Sequence, residues 1–196
     1  MEHLFEERDR VVVLIDGANF YSTARALGME IDYKALLAWF RREAHIMRVA
    51  YYTTILERDD FAAVRPLIDF LDYNGYTVVT KPAREFTDAE GRSRIKGSME
   101  VELSVDAMEL APRCDHLVLA SGDGNYKPLV AALQRQGIRV TVISTTSTQP
   151  PMVADDLRRQ ADQFLDLKTL EKEIGREPRE PREARPTRRF SAETVD

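Results

Sequence analysis

Cysteine is nearly missing from this chain of 196 residues: Cys114 stands alone. One thiol excludes an internal disulfide framework and a cysteine-built zinc ribbon, and it suits a reducing compartment. It reads as a free, buried core side chain. A long apolar run is missing too. The opening MEHLFEERDR is charged, and the run at 11–15 holds only five apolar residues, too few for a signal peptide or a membrane span. The expectation is a cytoplasmic protein without membrane contact. Nor is there an excess of positive charge: 28 Lys and Arg against 33 Asp and Glu leave a net charge of -5. Contact with a polyanion must therefore come from a local patch. Neither GxxxxGK[ST] nor GxGxxG occurs, which argues against a P-loop nucleotide triphosphatase and a dinucleotide oxidoreductase. His3, His45 and His116 lack metal-ligand or triad spacing.

What is present has the composition of a globular protein, 43% hydrophobic and 31% charged, long enough to bury a sizeable core. Residues 11–15, Val-Val-Val-Leu-Ile, form an aliphatic run ended by Asp16-Gly17, the pattern of a central parallel strand buried on both faces. Behind Asp32, an N-cap residue type, Tyr33, Leu36, Leu37 and Phe40 recur at helical spacing. A strand over 48–56, a helix over 61–73 closed by Asn74-Gly75 and a strand over 76–80 follow. A polar stretch, 81–97, leads to a helix over about 98–110 and a strand over 116–120. A helix over 126–136, a strand over 139–143, a helical segment over 155–161 and a short edge strand over 164–167 complete the series. This alternation predicts a doubly wound α/β fold with a mainly parallel sheet of about five to six strands.

From Glu171 onward seven basic and seven acidic residues surround Pro178, Pro181 and Pro186. Such a segment cannot bury enough apolar area to offset its ordering entropy. The expected division is a domain over 1–170 and a charged tail over 171–196, mostly disordered beyond about Gly175, acting as a solvated spacer. A protein partner for the tail, and a homodimer through apolar helix faces, stay open.

In an open parallel sheet, ligands bind at the carboxyl ends of the strands. Two acidic turns occupy such ends: Ile15-Asp16-Gly17-Ala18-Asn19, and Ser121-Gly122-Asp123-Gly124-Asn125. One strand-end Asp is as readily a cap or turn former. Two on one sheet edge repel, and persist most readily when a cation neutralises them; all-oxygen donors point to Mg²⁺ or Mn²⁺. The helix after the polar stretch offers Glu100 and Asp106, about 120° apart around the axis, so both border one cleft only if it wraps the first turns. Glu102 is expected on a solvated face.

These segments, Ile15-Asp16-Gly17-Ala18-Asn19-Phe20, the Lys96-Gly97 turn with Glu100 and Asp106, and Ser121-Gly122-Asp123-Gly124-Asn125-Tyr126, resemble in that order the three motifs of LabA-like NYN domains, relatives of PIN-like nucleases. The resemblance spans about 10–167. It implies a Rossmann-like, three-layer sheet and an acidic cluster binding Mg²⁺ for hydrolysis of RNA phosphodiesters. Asp16, Glu100, Asp106 and Asp123 match its acidic positions, and Asn19 its asparagine. Glu100 stands where the family usually has Asp. Asn125 stands where it usually has a second Asp, so a charge is lost, although the amide oxygen can still coordinate a hard cation.

The resulting expectation is a ribonuclease in which Asp16 and Asp123 ligate the metal, with Glu100 and Asn125 as further ligands. Glu100 or Asp106 orients or deprotonates the attacking water. The rival is a catalytically weak RNA-binding module disabled by Asn125. For substrate capture, Lys81, Arg84, Arg92, Arg94 and Lys96 outnumber Glu85, Asp88 and Glu90 in the polar stretch. The expected substrate-binding residues are Asn19, Arg94, Lys96 and Lys127, while an ordinary exposed hairpin is the bland reading of that stretch. Phe20, Tyr21 and Tyr126 could stack on bases, although core packing is the commoner role for such aromatics.

Overall fold

The computed structural model describes residues 4–56, 61–87 and 93–176. Six parallel strands form the central sheet: β1 (Arg10–Asp16), β2 (His45–Leu56), β3 (Thr77–Thr87), β5 (His116–Ala120), β6 (Arg139–Ser144) and β7 (Gln163–Asp166). A short β4 (Ser93–Lys96) pairs antiparallel with the far end of β3. The order β4-β3-β2-β1-β5-β6-β7 puts β1 in the middle. The chain runs outward from β1 to β3, then crosses back to β5, so strand order reverses between β1 and β5 and opens a crevice at their carboxyl ends.

The helices are α1 (Gly17–Ala26), α2 (Tyr33–Glu43), α3 (Phe61–Tyr73), α4 (Glu100–Leu110), α5 (Lys127–Arg135), α6 (Asp155–Gln160) and α7 (Glu171–Ile174). They cover both faces of the sheet. Val11, Val13 and Ile15 face a core with Phe20, Leu36, Phe40 and Ile174, while Val12 and Leu14 face a second core with Leu103, Ala107, Val130 and Leu157. The period-two alternation of a strand thus becomes two apolar layers, and this is why 11–15 reads as a continuous apolar run. No described helix is long and apolar enough to cross a membrane.

The structure adds to the expectations at three places. The segment after Asp16 forms α1, a helix the apolar pattern did not announce. The strand expected over 76–80 runs further into the polar stretch, to Thr87: Thr80 to Ala83 pair with Thr53 to Leu56, and β4 pairs antiparallel with its far end, as in the hairpin reading of that stretch. Third, the first residues after Glu171 pack on the domain. Ile174 is fully buried, Asp32 donates its N–H to the Ile174 carbonyl at 2.8 Å, and Arg176 pairs with Glu30. The remainder of the tail lies outside the described residues. Cys114 is buried and free, as its solitude suggested.

Candidate functional site

Asp16 ends β1 and caps α1, its Oδ1 accepting the Asn19 N–H at 3.3 Å. Gly17 is required beside it, because a Cβ there would lie 2.6 Å from the Tyr51 ring. Across the crevice, Asp123 Oδ1 accepts the Asn125 N–H at 2.9 Å and caps a 3₁₀ turn. Gly122 lies against the Met152 carbonyl with no room for a side chain. Three hydrogen bonds stitch the two turns together. Asn19 Oδ1 accepts the Gly122 N–H at 2.9 Å, and Asp16 Oδ2 accepts from Ser121 Oγ at 3.2 Å and from the Tyr126 hydroxyl at 3.3 Å.

Asp16, Asn19, Glu100 and Asp123 line one cavity of about 290 Å³, walled by Tyr52, Thr53, Thr54 and the Gly97-Ser98-Met99 turn. Glu100 reaches it from the first turn of α4. Asp106, further down the helix, does not line it. That carboxylate accepts the Tyr52 hydroxyl at 2.8 Å and borders a neighbouring cavity with Arg48 and Arg113. The cleft does not wrap the helix, so one acid of the expected pair is placed elsewhere. Asn125 is exposed and likewise outside the lining, and only its backbone touches Asp123.

Glu102 is not simply solvated. It pairs with Lys81 at 2.7 Å, and Lys81 also donates to the Ser98 carbonyl at 3.3 Å. Lys127 is paired with Asp156 at 3.6 Å rather than turned to the cavity. Arg94 and Lys96 belong to β4 by their backbone, but their side chains, like Arg92 as a whole, lie outside the described residues. Phe20 and Tyr126 are core, 2% and 1% exposed, whereas Tyr21 is 58% exposed. Sequence reasoning missed Tyr52 as a wall of the cavity. Only the parallel register pairing Asp16 with Tyr52 brings it there.

The NYN domain model matches residues 10–169. The chain belongs to the NYN domain family. "Low amplitude and bright protein LabA" of Synechococcus elongatus is 29% identical over 165 residues, covering 82% of this chain and 85% of that protein. A Vibrio parahaemolyticus protein of unknown function superposes with a TM-score of 0.67 at 25% identity, covering 83% of this chain and 95% of that one. This NYN domain therefore has a LabA-like relative and the PIN-like architecture of a nuclease-type family.

In the NYN domain's cavity the charges of the acids act on their neighbours. Burial pushes the Asp16 carboxyl above its ordinary value and the charge of Asp123 pushes the same way, while bonds from Asn19, Ser121 and Tyr126 partly oppose them. The Tyr126 phenol is raised by burial and then by the charges of Asp16, Glu100 and Asp123, so it feels all three acids. Among the described residues no Lys or Arg pairs with Asp16, Glu100 or Asp123. The donors are hard oxygens, suited in kind and charge to Mg²⁺ held by one or two carboxylates, with water and phosphate completing its shell. They are not a closed cage: among the described residues no group of three or more His, Cys, Asp or Glu is drawn together to hold an ion. Of the four expected ligands, Asp16, Glu100 and Asp123 line the cavity and Asn125 does not.

Proposed function

We propose that this NYN domain is a Mg²⁺- or Mn²⁺-dependent ribonuclease acting at the Asp16 cavity. The observation that carries this reading is the convergence of Asp16, Glu100 and Asp123, without a basic partner among the described residues, at the point where strand order reverses. Asp16 and Asp123 would hold the ion. When bound, it lowers the pKa of water and stabilises charge developing on the phosphate. Glu100, in the same cavity, takes the proton of the attacking water as that oxygen bonds to phosphorus. The bond to the leaving oxygen breaks, and that oxygen takes a proton from solvent. Asn19 spends its side-chain oxygen on Gly122, so only its amide N–H₂ remains to donate to a phosphate oxygen. A cytoplasmic setting, with Cys114 reduced, fits this reading.

A second reading is an RNA-binding module without turnover, in keeping with the acids of the described residues not being drawn into a closed cage. Cleavage of a labelled single-stranded RNA with Mg²⁺, Mn²⁺ or EDTA separates the two. Loss of cleavage in EDTA and in both Asp16→Asn and Asp123→Asn, with the fold kept, supports the ribonuclease. RNA binding without cleavage in either metal supports the module, and unchanged turnover in Asp16→Asn overturns the proposed site.

A further inference from the structure

After the register shift at Ile46–Arg48, the even-numbered residues from Arg48 to Thr54 share one face of β2, and they run from the acidic cavity to a second one. Tyr52 and Thr54 wall the first cavity. Arg48 lines the second, of about 320 Å³, with Asp106, Glu109, Leu110 and Arg113. Four residues of strand separate Arg48 from Tyr52, or about 13 Å at 3.3 Å per residue. Tyr52 joins the two cavities, because its hydroxyl donates to Asp106 at 2.8 Å.

Among the described residues, two lysines near the acids are committed to ion pairs. Lys81 is held by Glu102 and Lys127 by Asp156. Arg48 and Arg113 are exposed and, among the described residues, make no ion pair with a carboxylate. Guanidinium groups of this kind suit phosphate oxygens. Asp106 and Glu109 offset them, so the cavity as a whole has no formal net charge and is a poor trap for a bare anion. Its lining suits a ligand carrying both an anion and N–H donors beside an apolar face.

We propose that this second cavity is a nucleotide subsite for the RNA strand, away from the scissile phosphate. Arg48 and Arg113 take a backbone phosphate, while Glu109 and the Tyr52-oriented Asp106 accept N–H groups from the base edge. Carboxylates accept from base amino groups such as that of cytosine. The inference rests on RNA being the substrate of the first cavity.

The test is binding of a labelled oligocytidylate to the full chain in EDTA, followed by anisotropy at several salt concentrations. The double variant Arg48→Ala/Arg113→Ala is expected to bind about tenfold more weakly, with a salt slope smaller by about one. Arg25→Ala/Arg135→Ala, removing exposed arginines from outside both cavities, is expected to keep the parent's affinity. Glu109→Gln discriminates further: a carboxylate that accepts from the base makes its loss weaken binding, whereas a plain phosphate trap would bind more tightly. Tighter binding therefore overturns the subsite as proposed, and so does equal affinity of the double variant and the parent. Failure of the parent to bind overturns this inference, while the ribonuclease is judged separately by cleavage in Mg²⁺ or Mn²⁺. Arginine-dependent binding by a chain that never cleaves RNA supports the subsite and overturns the ribonuclease alone.

Discussion

The Ser121 hydroxyl donates to Asp16 Oδ2 at 3.2 Å while its oxygen accepts the Asp123 N–H at the same distance. One buried side chain thus sets the spacing of the two strand-end acids. Asn19 closes the other side of the crevice through Gly122, so each turn fixes its neighbour.

Ser121→Ala should remove both bonds and leave the Asp123 N–H without its acceptor. The expected loss is about 1–3 kcal/mol of stability. At about 2–4 °C per kcal/mol for a chain of this size, calorimetry should register a clear drop in Tm. The same variant should lift the acid limb of RNA cleavage, because the Ser121 bond helps to hold the Asp16 carboxyl down. An unchanged Tm would mean that the turn is held by its other bonds alone.

Asp16 should act against stability at neutral pH. Its carboxyl in the fold lies above the unfolded value of 3.8, chiefly through burial. The folded state therefore binds its proton more tightly, and stability falls as pH rises from the unfolded toward the folded value. Asp16→Asn has no such titration. Its Tm relative to the parent should become more favourable between acid and neutral pH, as a paired thermal series would read.

Asp166 should show the opposite sign. Burial raises its carboxyl, but donors from Thr145, Lys168 and Thr146 outweigh that and hold it below 3.8. Its contribution to stability is present above the unfolded value and lost as pH falls through the folded one. Asp166→Asn should therefore lower Tm at neutral pH and converge on the parent in acid. A constant difference across the series would contradict the assignment.

Asn125→Asp should change RNA cleavage by less than about threefold, under about 1 kcal/mol in the barrier. Asn125 is exposed and absent from the lining of the acidic cavity. A large gain would instead show that the asparagine disables a metal position, and single-turnover rates distinguish the outcomes.

Much of this architecture is local in origin and legible residue by residue. The apolar run at 11–15 announces a strand buried on both faces, and Asn74-Gly75 closes α3, with Gly75 at φ +91°. The strand at His116–Ala120 has the expected bounds. The Asp16 and Asp123 turns identify themselves because a strand end followed by glycine is written in consecutive residues. Helix α1 was not legible: it starts at a glycine and has a weak apolar stripe, so its packing and the Asp16 cap define it. Partners across the fold were equally hidden. Whether Lys127 meets substrate or Asp156, and whether Asp106 meets Asp16 or Tyr52, depends on how α4, α5 and α6 dock on the sheet. Helix spacing fixes the angle between Glu100 and Asp106, but the cavity each one borders depends on which neighbours the sheet register brings opposite. The sequence by itself determined the alternating α/β pattern and the two acidic turns, since both arise from short-range backbone preference and periodicity. Only the tertiary structure decided which acids share a cavity and which cations remain unpaired, because those outcomes depend on side chains brought together from distant strands and helices.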